Sequence, residues 1–467
     1  MNARKFARLG VPKGDAMRIA GTAVRRAREY GVPKRDIPDL ITAVVENPDE
    51  YLQDELFGEL AEAILNHQSI QPLYKPRAQP APYQIWGQDL EGGAIDQIKN
   101  AAQLPVAVRG ALMPDAHLGY GLPIGGVLAT HNAVIPYAVG VDIACRMKMT
   151  VLDIHPHQLK AEQKRLINAI EEETRFGKGV GFRRGERRDH PVMEADWQIT
   201  KYINSLRDKA WSQLGSSGSG NHFVEFGILE VANADVGLQE GKYLALLSHS
   251  GSRGSGAMIA NHYSKLAMEL HPELPKELRH LAWLDLDSDP GKEYWAAMQL
   301  MGQYAEANHA VIHQQIAKNL KSKVLLDVEN HHNFAWKEEH DGQTVIVHRK
   351  GATPAGKGVL GIIPGSMGAP GFVVRGLGNE ASLRSASHGA GRRMSRKKAR
   401  QTYTWHEAKK YLRDRDVKLI SAGLDEIPMA YKDINEVMAA QSDLVEVLAR
   451  FEPKLVKMAP DGEKPED

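Results

Sequence analysis

Four prolines fall within the twelve residues from Gln71 to Pro82, QPLYKPRAQPAP, and the chain changes character across them. Proline fixes φ, lacks an amide hydrogen and disfavours helix in the residue before it, so this stretch neither pairs in a sheet nor continues a helix. Before it, DAMRIAGTAVRRAREYG and LQDELFGELAEAILNH alternate charged and apolar positions at helical spacing, with almost no strand signal. After it, β-branched and apolar runs such as GGVLAT, LALLSH and FVVRG are separated by dense glycine turns. The expectation is a small all-helical appendage over residues 1–68, a Pro-rich linker over 69–83, a large domain over 84–460 and a polar tail over 461–467. Within the appendage, LGVPKGD at Leu9 and YGVPKRD at Tyr30 echo each other, each placing a proline where a helix would begin.

Two helical stretches interrupt the strands of the large domain: MIANHYSKLAMEL and KEYWAAMQLMGQYAEANHAVIHQQIAKNL. The second carries Tyr294, Met298, Met301, Ala305, Ile312 and Ile316 on one stripe, read as a packed core face. Strands and helices mixed without a regular βαβ beat point to an α+β fold, a mixed β-sheet core with helices around it.

Composition narrows the function only a little. With 59 basic and 58 acidic residues, bulk charge draws the chain to neither nucleic acid nor membrane, so any attraction is local. One cysteine cannot form an internal disulfide and fits a reducing compartment. No apolar run approaches a bilayer span. The first 28 residues are Arg-rich, with Asp15 as their one acid and no serine, and run on into the helical pattern rather than forming a secretion signal. A cytoplasmic protein is expected.

The chemistry-bearing residues sit beside glycines, where backbone turns tightly and approaches a ligand. They lie in GVDIAC (Asp142, Cys145), GSSGSGNHFVEFG (Asn221, His222, Glu225), LLSHSGSRGSG (His249, Arg253), ENHHNFAWKE (His331, His332, Asn333) and RSASHGAGRRMSR (His388). Asp142 and Cys145, three apart, would point to opposite faces of a strand; a turn at Ile143 and Ala144 would bring both to one ion. Position alone leaves Cys145 open between a small buried hydrophobe and a ligand. A thiolate with several imidazoles favours Mn, Zn, Fe or Co over Mg or Ca. IIPGSMGAPG and SHGAGR offer consecutive backbone N–H groups to an anion, and no GxxxxGK[ST] is present, which disfavours an ordinary P-loop NTPase. Two basic runs, Arg175 to Arg188 and Arg384 to Arg400, hold six basic residues against one acid and seven against none, which would suit a polyanionic backbone. His309 and His313, four apart on a helix, and His155 and His157 read as structural.

Taken together, these motifs resemble the RtcB family of RNA-splicing and repair ligases, from about Trp86 to Lys457. The resemblance rests on MPDAHLGYGLPIGG, GVDIAC, GSGNHFVEFG, SHSGSRG, HHNFAWKE, RKGA, GIIPGSMGAPGFVVRGLGNE, SHGAGRRMSR and DEIPMAYKDINEVMAAQSDLVEV. It implies two Mn(II) ions per subunit on Asp142, Cys145, His222, His249 and His332, with Cys145 bridging. It implies that His388 takes GMP from GTP. It implies a guanylate pocket of Asn221, His222, Phe223, Val224, Glu225, His332, Asn333, Pro364, Gly365, Ser366, Met367, His388, Gly389, Ala390, Gly391 and Lys457, with Asp115 and His117 in support. The implied partners are GTP and RNA with 3′-phosphate or 2′,3′-cyclic phosphate and 5′-hydroxyl ends, such as tRNA halves or broken RNA. An activating protein is allowed and a membrane is not implied. The chain departs from the family pattern at Ala144 and Arg146, where GVDIGCGM is usual, and at Gly371, where a serine is common. A metal-dependent RNA-end phosphohydrolase or a non-ligating RNA-binding protein would share the same motifs.

Overall fold

The structure, a computed structural model, describes all residues except 2, 13, 14, 71–73, 233 and 465–467. The first three residues of the Pro-rich stretch and the last three of the polar tail lie outside the described residues. The chain divides into two compact units, Met1–Lys75 and Pro76–Asp467.

The first unit is built from helices, chiefly Asp15–Glu29, Ile37–Glu46 and Gly58–Ile70. Ala20, Ala23, Val24 and Ala27 share one face at helical spacing, and these small residues close onto Ile37, Ile41, Val44, Leu60 and Ile64. The two echoing segments are helix ends, not helix starts. Gly10 and Gly31 take φ +84° and +86°, and the following amides, Val11 and Val32, donate to the Phe6 and Ala27 carbonyls at 3.1 and 2.9 Å. This is a glycine-closed Schellman cap, after which proline is common because it cannot continue the helix. The next helices begin at Asp15 and Ile37, beyond Pro12 and Pro33.

The second unit is a mixed α+β structure around two sheets. The larger has eight strands. Seven run antiparallel in the order Val324–His331, Arg146–Leu152, Gly241–Ser250, Phe223–Val231, Val445–Met458, Gly371–Gly376 and Leu360–Ile363, and Lys418–Ser421 pairs parallel to the end of Val445–Met458. Alternation along these strands sends Met147, Met149, Val151, Ala245 and Leu247 to one apolar layer and Leu152, Leu244, Leu246, Val224 and Phe226 to the other. The second layer is closed by the 31-residue helix Asp289–Asn319, whose Ile312 and Ile316 pack into it. All six residues of the expected stripe on that helix are buried. The five-stranded sheet, Tyr83–Ile85, Ala107–His117, Ile124–Thr130, Gln343–Lys350 and Phe334–His340, shares a core with the far edge of the larger one through Val127, Val347, Ile363, Phe372 and Val374.

Candidate metal centre and nucleotide cavity

The ligand-type residues converge because of strand register. In the larger sheet His331 is opposite Arg146, Arg146 opposite Ser250, Met147 opposite His249, and His249 opposite Phe223. Cys145 and His222 each precede a strand, His249 is the penultimate residue of one and His332 follows one, so four adjacent strand ends bring these four side chains together. Asp142 joins them through a turn: Ala144 has φ +56°, the Cys145 amide donates to the Asp142 carbonyl at 3.3 Å, and the Ala144 amide donates to the Asn333 carbonyl at 2.8 Å.

Two groups of potential ligands result, Asp142–Cys145–His222 and Cys145–His249–His332, each with its donor atoms within 4.8 Å of one another. Cys145 belongs to both. Its Sγ lies 3.0 Å from His249 Nε2 and 3.4 Å from His222 Nε2. His249 Nε2 lies 3.2 Å from His332 Nε2, and His222 Nε2 lies 3.0 Å from Asp142 Oδ2. The outer nitrogens are tied to backbone: His249 Nδ1 to the Asn221 carbonyl at 3.2 Å, and His222 Nδ1 to the Ser217 carbonyl at 3.0 Å, closer than the Arg253 guanidinium at 3.2 Å. A carbonyl only accepts, so the His249 ring proton sits on Nδ1 and its Nε2 lone pair faces inward; at His222 the Arg253 guanidinium beside Nδ1 and the Asp142 carboxylate beside Nε2 favour the opposite tautomer, and a cation between Nε2 and the carboxylate would reverse that preference. Lone pairs, a thiol sulfur and a carboxylate crowded at such distances fit shared divalent cations. Burial lowers the His249 pKa to about 3 and that of His332 well below the ordinary imidazole range, which keeps both rings neutral for ligation.

The same residues form one end of a cavity of about 640 Å³, within the range of small-molecule sites. Asp142, Cys145, Asn221, His222, Phe223, Glu225, His249, His332, Asn333, Pro364, Gly365, Ser366, Met367, His388, Gly389, Ala390 and Gly391 all line it. His388 Nδ1 is 2.6 Å from Oδ2 of Asp115, whose side chain is fully buried, and the His388 amide donates to the same oxygen at 3.2 Å. His388 Nε2 is thereby left as the free nitrogen, and the ring lies 4.9 Å from that of His332. Gly391 is required by this arrangement: a Cβ there would come within 2.1 Å of the Asp115 carbonyl. Burial pushes the Glu225 carboxyl well above the carboxylate range.

Two expected pocket residues face elsewhere, for one reason. Side chains alternate along a strand, so Val224, between Phe223 and Glu225, enters the apolar layer under the long helix. Lys457, between the cavity-lining Val456 and Met458, turns to the opposite face, where its Nζ meets Glu171 at 2.8 Å and lies over the Phe176 ring. The neighbouring histidines also separate: His332 joins the ligand cluster while His331 packs against Phe334 and Trp336. His309 and His313 are buried and hydrogen-bonded to Ser248 at 2.7 Å each. Arg146 does not face the cavity; it points toward the long helix and pairs with Glu329 at 3.0 Å and Glu306 at 3.9 Å. Gly371 lines the cavity but brings no hydroxyl. Several members of the basic runs pair with acids outside them: Arg187 with Asp208, Arg188 with Glu173, Arg392 with Glu426 and Arg400 with Asp425. Arg392, Arg393, Arg396 and Lys397 nevertheless reach the cavity wall. Lys350, quoted in RKGA but given no role from sequence, also lines it, its pKa lowered to about 7 by burial.

The profile of the family described as tRNA-splicing ligase RtcB matches residues 97–458. The chain is 36% identical over 397 residues to the RNA-splicing ligase RtcB of Escherichia coli K12, covering 79% of this chain and 95% of that protein. It is 32% identical over 439 residues to the tRNA-splicing ligase RtcB of Nanoarchaeum equitans, covering 78% and 91%, and 33% identical over 429 residues to the RNA-splicing ligase RtcB of Mycobacterium tuberculosis, covering 76% and 98%. No helix of the described residues is long and apolar enough to cross a membrane. A match spanning most of the chain, on a cavity where the five expected metal ligands and the expected histidine nucleophile meet, makes this protein a member of the RtcB family.

Proposed function

We propose that this protein is a GTP- and Mn(II)-dependent RNA ligase that joins 3′-phosphate or 2′,3′-cyclic phosphate ends to 5′-hydroxyl ends, in tRNA splicing or RNA repair. The observation that carries the reading is the coexistence in one cavity of two ligand groups sharing Cys145 and a histidine, His388, whose Nδ1 is engaged by a buried carboxylate. Asp142, Cys145 and His222 would hold one ion and Cys145, His249 and His332 the other; bound there, divalent cations neutralise phosphate charge and favour in-line attack. Asp115 keeps the proton on Nδ1 of His388, so Nε2 attacks the α-phosphorus of GTP. The new N–P bond replaces the P–O bond to the β-phosphate, and pyrophosphate leaves. The GMP then passes to an RNA 3′-phosphate, freeing Nε2, and a 5′-hydroxyl attacks the activated phosphorus and expels GMP. A cyclic end is opened by water first. A cytoplasmic, reducing setting goes with this reading, since a ligand thiol has to stay unoxidised.

The test is incubation with α-labelled GTP and Mn(II), followed by denaturation. Label is expected on the wild-type chain and absent from His388→Ala. No label on wild type, or undiminished label on the variant, would falsify the ligase reading; label without joining of RNA ends would point to a diverged paralogue.

A further inference from the structure

The mouth of the cavity carries an aromatic surface that the ligand clusters and His388 do not use. Tyr120 and Leu118, 65% and 55% exposed, are among the most exposed large apolar side chains of the described residues, and both border the cavity. Large apolar side chains exposed beside a functional cleft mark contact sites. The loop that presents them is held by its backbone at four consecutive positions. The Leu118 amide donates to Glu91 at 2.9 Å, and Gly119 exchanges two hydrogen bonds with the Gln97 amide at 3.0 and 2.5 Å. The Tyr120 carbonyl accepts from Lys350 Nζ at 2.5 Å, and Gly121, at φ +71°, packs so closely on the His280 carbonyl that a Cβ would come within 2.5 Å. The backbone is thus fixed while the Tyr120 ring faces solvent. Tyr137, which also borders the cavity, and His280 stand beside it, their ring centroids 6.4 and 5.6 Å from that of Tyr120.

We propose that Tyr120 is a stacking platform for the terminal nucleobase of one of the two RNA ends, a reading that rests on the RNA-joining activity proposed above. An exposed ring on a fixed backbone presents a flat apolar face to any base without selecting its hydrogen-bonding edge, as an enzyme joining ends of varied sequence requires. Its exposure favours a strand that continues into solvent over a mononucleotide enclosed by the cavity.

The test compares Tyr120→Ala and Tyr120→Phe in sealing of short RNAs, with substrates that lack the terminal base at the 3′ end or at the 5′ end. Tyr120→Ala is expected to raise the KM for RNA by about tenfold, within the range of a lost base–aromatic stack, and Tyr120→Phe to restore it. With one of the two abasic substrates, wild type and Tyr120→Ala converge, because the interacting pair is already broken. An unchanged KM, or a difference that persists on both abasic substrates, overturns the platform while leaving the ligase reading in place. An equal loss in the rate of GTP labelling overturns it too, marking Tyr120 as part of the support of Lys350. A wild type that neither labels with GTP nor seals RNA removes the ligase reading and the platform with it.

Discussion

Asp115→Asn is the sharpest test of the activation proposed for His388. Oδ2 of Asp115 meets His388 Nδ1 at 2.6 Å and the His388 amide at 3.2 Å, while Oδ1 is buried with no hydrogen-bond partner. An asparagine there has two orientations. With its oxygen toward His388 it keeps both contacts but loses the charge that would stabilise the cationic ring formed as Nε2 bonds to phosphorus, and it buries an unpaired NH₂ at the Oδ1 position. With its NH₂ toward His388 it forces the proton onto Nε2, and the nucleophile is gone. The first orientation loses most of a charge-assisted hydrogen bond, roughly 1.5–3 kcal/mol, or about 10- to 150-fold in rate. The second resembles the tautomer inversion that costs a catalytic triad about 10⁴-fold. The expected outcome is a fall of roughly 10²-fold or more in the single-turnover rate of GTP labelling. The assay is label on denatured chain against time, with thermal unfolding as a control for folding. A folded Asp115→Asn protein that labels within threefold of wild type would refute the claim that this carboxylate sets the tautomer.

Cys145→Ser should reduce bound Mn(II) well below two ions per chain in metal analysis, because the removed sulfur belongs to both ligand groups; two retained ions would dissolve the shared-thiolate arrangement. Ala144→Gly is expected to change stability by less than about 1 kcal/mol in urea unfolding: relief of a left-handed alanine, about 1–2 kcal/mol, is offset by the buried methyl, about 0.8 kcal/mol, and by unfolded-chain entropy. Arg146→Ala should cost roughly 2–3 kcal/mol, at or below the lower end for breaking a buried pair, since Glu329 keeps Lys148 at 3.6 Å. Acid should destabilise the fold through His348. Its Nε2 accepts from the Ile135 amide at 2.9 Å and burial lowers its pKa to about 4, so between pH 6.5 and 4 the unfolded chain takes a proton that the folded one refuses. Stability present above pH 6.5 is then lost at about 1.4 kcal/mol per pH unit as pH falls. His348→Gln should flatten that slope in urea titrations at pH 7 and 5.

Much of the candidate site was legible because its signals are local: GVDIAC, the histidine-bearing glycine loops and SHGAG each show a candidate residue beside the backbone that brings it to the cavity. The α+β class was legible from strands and helices mixed without a regular βαβ beat after the prolines. What stayed hidden depends on pairing between distant segments. Whether Val224 and Lys457 face the cavity is a question of strand phase, and a strand at the edge of a functional cleft carries its ligands on every second residue only. The pairing of Arg187 with Asp208, Arg392 with Glu426 and Arg400 with Asp425 likewise joins segments that no local pattern connects. Arg146 shows the point most clearly. Read along the chain it sets a cation against the candidate ligand thiol of Cys145, yet one step of alternation turns it to the other side of the sheet, onto Glu329, 183 residues away in sequence, and Glu306 of the long helix. Arg146 therefore bears on how firmly the start of the Arg146–Leu152 strand is anchored beside Cys145, and a substitution there should act through folding stability before it acts on metal affinity at the candidate site.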